Sequence, residues 1–316
     1  MAHAIYYPEK ISAHRTPNGH PENFMRLKAI QEGLSNPNFD FLEKKIAPVA
    51  DVSAAASLHT QDYIDVLSQP FDDEEPIRSL DEMDTYLDYD SLAAALAGVG
   101  AGREVVDRLS KGELKHGFVA TRPPGHHALS HKAMGFCLLG TAALTATYAQ
   151  EVYGHRVAVL DFDLHHGNGT QALLFDKDNT FFASTQERNI WPQTSQTGTT
   201  GVYNHIHNID LKRGSGTRDM EAAWTELFER MDAFSPDLVV VSAGFDAHQH
   251  DPLSGLRWQN HSYEWIAKAI GERVQSYAKG GVVSILEGGY EQSVLRKSVP
   301  LYIKTMADVL SNPQDT

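Results

Sequence analysis

Five short runs of β-branched and apolar residues alternate along this chain with stretches of helical length and spacing. The runs are Gly117–Thr121, Val157–Phe162, Thr180–Ser184, Leu238–Ser242 and Val282–Leu286. Continuous apolarity without a polar alternate suits strands covered on both faces, and such strands are joined by helical crossovers. The intervening stretches Leu92–Leu109, Gly140–Val152, Thr217–Phe234, Asn260–Tyr277 and Glu291–Leu310 have apolar residues at helical spacing, with Pro236 and Gly280–Gly281 marking returns to strands. The alternation predicts an α/β fold, a doubly wound and mostly parallel sheet flanked by helices. Glu22–Leu34 and Gln61–Leu67 read as further helices and Pro70–Tyr86 as an acidic loop. The 316 residues hold no linker, repeat or low-complexity tract, so a single domain over 1–316 is expected.

Polar clusters sit immediately after four of the strands: TRPPGHHA (Thr121–Ala128), DFDLHHGNG (Asp161–Gly169), SAGFDAHQHDPL (Ser242–Leu253) and EGGY (Glu287–Tyr290). In a parallel sheet the C-terminal strand ends share one edge, so these clusters are expected to converge on one site. Asp161, Asp163 and His165 alternate along an extended backbone and are expected to project to one face, with Gly167 and Gly169 allowing a sharp turn. A lone Asp at a strand end is more often a cap, but Asp163, His165 and Asp246 together offer two carboxylates and an imidazole. That set neutralises a divalent cation and leaves coordination positions open, as a catalytic site does. His126 and His127 follow the stiff Pro123-Pro124-Gly125 turn and suit acid and base work, with Asp161 and Asn168 as orienting partners. Tyr290 could donate to a developing oxyanion. Phe136 could line a narrow entrance, and Cys137 reads as a small buried residue. His166, His248 and His250 stand beside the candidate ligands in structural or supporting roles. His205 and His207 mark one face of a strand, and Arg26 by default is a solvated helix arginine.

Composition narrows the partners. A formal charge of −14 and a pI near 5.5 give no electrostatic footprint for nucleic acid, and would draw in cationic substrates if the acidity is more than a solubility device. No apolar run approaches the roughly 18 residues of a membrane span. The single cysteine excludes an internal disulfide, and the first residues, MAHAIYYPEK, do not resemble a signal peptide. A cytoplasmic enzyme without nucleic-acid or membrane partners is expected, with an oligomer left open.

The motifs RPPGHHA (Arg122–Ala128), DFDLHHGNGTQ (Asp161–Gln171), GFDAHQHDPL (Gly244–Leu253) and EGGY resemble those of the histone deacetylase and acetylpolyamine amidohydrolase superfamily. HPENFMR (His20–Arg26), LDEMDTYL (Leu80–Leu87), GFC (Gly135–Cys137) and FFAST (Phe181–Thr185) follow the family's order, so the resemblance spans nearly the whole chain. It implies an arginase-like α/β fold with one zinc ion on Asp163, His165 and Asp246. It makes His127 the general base, His126 its Asp161-supported neighbour, and Tyr290 the residue that polarises the carbonyl. Asn168 stands where class I members carry an aspartate, which points to the class II, bacterial-type branch. Potassium is implied near Asp161, Asp163, His165 and Ser184, and substrate contacts at Phe136, Trp191 and Gly288. Gly167 occupies the place where a dinuclear manganese ureohydrolase would need another carboxylate, which favours one catalytic metal. Pro70–Ser91 is too short for the insertion typical of acetylpolyamine specialists, while Ile190–Gly198 departs from the Phe-Pro-Gly rim pattern and puts Trp191 at one channel wall. The expected activity is zinc-dependent removal of acetyl or related acyl groups from amines. Acetyl-lysine side chains come first, acetylpolyamines or other small acyl amides second, and a non-catalytic acyl-lysine- or partner-binding protein is the remaining reading.

Overall fold

The computed structural model describes residues 2–71, 76–81, 83–194, 200–277 and 281–312. In chain order the elements are β1 (Ala2–Tyr7), α1 (Met25–Gly33), β2 (Leu42–Ile46), α2 (Gln61–Leu67), β3 (Ile77–Ser79), β4 (Tyr86–Asp88), α3 (Ser91–Ser110), β5 (Leu114–Val119) and α4 (Thr141–Tyr153). They continue with β6 (Val157–Asp161), α5 (Asn168–Leu174), β7 (Thr180–Glu187), β8 (Ile206–Leu211), α6 (Thr217–Phe234), β9 (Leu238–Ala243), α7 (Asn260–Tyr277), β10 (Val282–Leu286) and α8 (Gln292–Ser311).

Eight strands form one sheet in the order β2-β1-β5-β10-β9-β6-β7-β8, and every pairing within it is parallel. The predicted doubly wound architecture is therefore the one that forms. Side-chain alternation explains why the central strands carry no polar face. Val239 and Val241 of β9, with Ala158 and Leu160 of β6, pack under Trp224, Phe228, Ile266, Ile270, Leu295 and Val299 of α6, α7 and α8. The alternate residues Leu238, Val240, Val157 and Val159 pack under Val105, Val106, Ala142 and Ala146 of α3 and α4 on the other side. Both faces are buried, which is the condition for a continuous apolar strand.

Two differences from the sequence reading bear on the site. β1 and β2 add a parallel pair at one edge, where β2 is short and turns the exposed Glu43 and Lys44 outward, a common protection of an edge strand. The segment read as an acidic loop contains the antiparallel ribbon of β3 and β4, although residues 72–75 and 82 lie outside the described residues. Asp81 closes that ribbon. Its Oδ1 accepts from the backbone N–H of Met83, Asp84 and Thr85 at 3.0–3.1 Å, and its Oδ2 accepts from the Thr85 hydroxyl at 2.6 Å. Met83 and Asp84 are thereby held at the mouth of a cavity.

Candidate active site

The four polar clusters follow β5, β6, β9 and β10, which are the four consecutive central strands of the sheet. Their C-terminal ends meet at one edge. β6 ends at Asp161, so the extended backbone expected to carry Asp161, Asp163 and His165 in alternation stops at the first of them. Beyond it the chain curls through side-chain-capped turns: Asp163 N–H donates to Asp161 Oδ1 at 3.1 Å, and His165 N–H donates to Asp163 Oδ1 at 2.9 Å.

Asp163, His165 and Asp246 each offer one ligand atom, all within 4.8 Å of one another, the sole such group of three or more found among the described residues. His165 Nδ1 lies 3.3 Å from Asp163 Oδ1 and 3.1 Å from Asp246 Oδ2. Both carboxylates are fully buried, and their remaining oxygens accept backbone N–H groups: Gly288 to Asp163 Oδ2 at 2.8 Å, Leu164 to Asp246 Oδ1 at 2.9 Å. Burial, then the neighbouring Asp163 charge, pushes Asp246 up to about 6. For His165 burial opposes the charged form, yet Asp163 and Asp246 outweigh it and raise its pKa to about 10. Two anionic oxygens and an imidazole nitrogen facing a common centre fit a single divalent cation with borderline-hard preferences.

The tandem histidines approach from the loop after β5. His126 Nδ1 lies 3.0 Å from Asp161 Oδ2, and His127 Nδ1 lies 2.7 Å from Asn168 Oδ1, with ring centroids 3.9 Å apart. The two partners differ in charge, and the two imidazoles diverge accordingly. Burial works against a charged His126, but Asp163 and Asp161 hold its pKa well above 6.5. Burial, reinforced by His126 and His165, holds His127 well below. Because an amide oxygen only accepts, His127 Nδ1 carries the proton toward Asn168, leaving Nε2 as the basic atom.

A cavity of about 360 Å³ opens onto this assembly and is lined by His20, Pro21, Met83, Asp84, His127, Gly135, Phe136, His165, Trp191, Leu253 and Tyr290. Phe136 packs edge-on against Tyr290 at 5.7 Å, and Trp191 edge-on against His127 at 4.6 Å. The part of the Ile190–Gly198 rim beyond Thr194 lies outside the described residues. Gly288 does not line the cavity. It sits beneath the carboxylates, where a Cβ would collide with Asp246 and Asp163, and its N–H donates to Asp163 Oδ2. Ser184 pairs with Asp161 in the register of β6 and β7, and its hydroxyl donates to Gln186 Oε1 at 2.8 Å. His166 is bonded away from the cavity, to Thr194 and Gln171, and His248 and His250 line a separate cavity of about 410 Å³.

Arg26 is the clearest departure from expectation. It is 1% exposed, its Nε donates to Gly289 O at 2.6 Å, a second nitrogen donates to Glu287 O, and its guanidinium lies 5.0 Å from the Tyr290 ring centroid. Glu22, also buried, bridges Arg26 and Arg122 and offsets one of their two positive charges. Sequence reasoning also assigned no part to Asp251 and Glu287. Asp251 accepts the backbone N–H of Tyr290 at 2.6 Å, Glu291 at 3.2 Å and Leu253 at 3.0 Å. Glu287, raised to about 7 by burial above all, accepts from Gly125, His126 and Ser242. Each stands inside a polar cluster after a strand, which was the available signal.

Fold and site together define a parallel α/β protein with a buried carboxylate–imidazole group at the C-terminal strand edge that could hold a metal ion. The profile of the histone deacetylase domain matches residues 20–306, and the chain belongs to that family. A type-2 histone deacetylase 2 from Dictyostelium discoideum is 32% identical over 96% of this chain, which spans 21% of that longer protein. Histone deacetylase 10, chloroplastic, from Oryza sativa subsp. japonica is 34% identical over 94% of this chain and 72% of its own length. Among solved structures, the HDA15 HD domain superposes with a TM-score of 0.88 at 27% identity, covering 99% of this chain and 90% of that one.

Proposed function

We propose that this protein is a zinc-dependent amidohydrolase that removes acetyl or related acyl groups from amines, with acetyl-lysine side chains as the principal substrates and acetylpolyamines as the second class. Asp163, His165 and Asp246 would hold the ion. A divalent cation there supplies Lewis acidity toward an acyl carbonyl and toward water. The protein's own groups supply the proton transfers. His127, a neutral imidazole on the cavity wall with Nδ1–H committed to Asn168, suits removal of a proton from water at Nε2. His126, whose imidazolium is sustained by Asp161, suits return of a proton to the departing amine. Tyr290 lines the same cavity, and its hydroxyl suits donation to the oxyanion that forms as the carbonyl is attacked. The amide bond breaks, and acetate and a free amine leave. A monovalent cation beside Asp161, Asp163, His165 and Ser184 belongs to the same proposal, supported by the adjacency of Asp161 and Ser184 across β6 and β7.

The observation that carries this reading is the meeting of the metal cradle, the differently partnered histidine pair and Tyr290 around one cavity. Initial rates on an acetyl-lysine peptide, acetylputrescine and trifluoroacetyl-lysine, with metal analysis of the same sample, test it. Hydrolysis of the peptide that follows zinc content is expected. A protein that binds no transition metal and hydrolyses none of the three contradicts it.

A further inference from the structure

Glu287 has no place in the chemistry above, yet from its own strand-end cluster it bonds to two of the other three. It is 0% exposed and immediately follows β10. Its Oε2 accepts from the successive backbone N–H groups of Gly125 at 2.7 Å and His126 at 3.1 Å, a small anion nest at the base of the histidine loop. Its Oε1 accepts from Ser242 Oγ at 3.0 Å, at the end of β9. Its own N–H donates to Ala243 O at 3.0 Å, and its carbonyl accepts from Arg26. Asp161 at the end of β6 and Asn168 at the start of α5 bond the Nδ1 atoms of the two imidazoles, whereas Glu287 fixes the backbone that carries them.

We propose that Glu287 is a positioning residue: its carboxylate anchors the Gly125–His127 backbone and so sets where the His126 and His127 rings stand relative to Tyr290, while its negative charge is dispensable. The inference rests on the function proposed above for its kinetic consequence, but not for its structural one. Glutamine satisfies the same three donors. Its amide oxygen faces the two N–H groups, and its NH₂ faces a hydroxyl that accepts as readily as it donates. Methionine fills similar volume but leaves the two buried N–H groups without a strong acceptor.

The test compares Glu287→Gln and Glu287→Met in the full chain by amide hydrogen exchange of the peptide spanning residues 122–128, with kcat, KM and zinc content measured alongside. Glu287→Gln is expected to exchange and turn over close to wild type. Glu287→Met is expected to exchange faster at Gly125 and His126 and to lose kcat about 100-fold, the order of effect of a misplacement near 1 Å, with KM and zinc content unchanged. The proposal is overturned if Glu287→Gln loses as much as Glu287→Met, or if Glu287→Met keeps wild-type protection. If wild type does not hydrolyse the peptide, the proposed reaction falls while the exchange arm still decides the role of Glu287. Should Glu287→Met not fold, Glu287→Gln decides alone: wild-type protection sustains the anchor, and lost protection refutes it.

Discussion

Gly288→Ala isolates the metal cradle from every group that does chemistry. The position needs no unusual backbone angle, so the effect of a methyl group there is one of space alone. A Cβ would lie 2.6 Å from Asp163 Oδ2 and closer still to Asp246 Oδ2, the two carboxylates proposed to share a cation. Neither can retreat freely, because each is fully buried and tied to a backbone N–H, Gly288 to Asp163 and Leu164 to Asp246. Overpacking at such a site costs about 1–3 kcal/mol. If that strain falls on the geometry the cation requires, it appears as a loss of roughly 5- to 150-fold in metal affinity. Competition for zinc against a chromophoric chelator measures it directly, with near-wild-type circular dichroism as the check on folding. Gly216→Ala is the control, since a Cβ there comes no closer than 3.9 Å to Arg257 O, and unchanged affinity is expected. Unchanged zinc affinity in Gly288→Ala would refute the assignment of Asp163 and Asp246 as a shared cradle.

Tyr290→Phe is expected to keep its zinc and lose kcat by about 10²- to 10³-fold, as removal of one oxyanion donor does; unchanged turnover takes Tyr290 out of the mechanism. Glu22→Gln leaves Arg26 and Arg122 buried without their shared carboxylate, and a loss of about 3–5 kcal/mol is expected in urea unfolding. A loss below about 1 kcal/mol, the range of exposed pairs, would contradict that charge balance. His59 is buried, accepts the Gly140 N–H at 3.0 Å and donates to Leu129 O at 3.0 Å, and burial lowers its pKa to about 4. The unfolded chain, with histidines near 6.5, binds the extra proton first, so this contribution is full above about pH 6.5 and is lost as pH falls toward 4. Its size is on the order of 3 kcal/mol. His59→Gln, which can make the same two bonds, should flatten the fall in stability across that window; an unaltered slope would show that other groups produce it.

What the sequence made legible was governed by local pattern. β6, β9 and β10 are apolar runs because both their faces are covered, and α6 and α7 begin and end where their spacing predicts. β1 escaped notice because His3, a polar residue, is buried within it, and β2 because its Leu-Glu-Lys-Lys-Ile pattern is that of a half-exposed edge. The strand-end clusters announced where the site lies, since their residue types are unusual at the ends of apolar runs. The roles of the supporting carboxylates were not legible, because they are set by distant partners. Glu22 meets Arg122 across 100 positions, and Glu287 meets Gly125 across 162. A helix arginine such as Arg26 looks solvated until the acid and carbonyls that take its charge are brought to it by the fold.

The central claim is that the convergence at β5, β6, β9 and β10 makes a metal-dependent deacylase. The most direct measurement is acetate released from an acetyl-lysine peptide by one preparation as isolated, after chelation, and after zinc is restored. Activity that disappears with the metal, returns with one zinc ion per chain and is absent from Asp246→Ala is the expected result. Hydrolysis that survives complete removal of metal, or a zinc-loaded protein that releases no acetate, would contradict it.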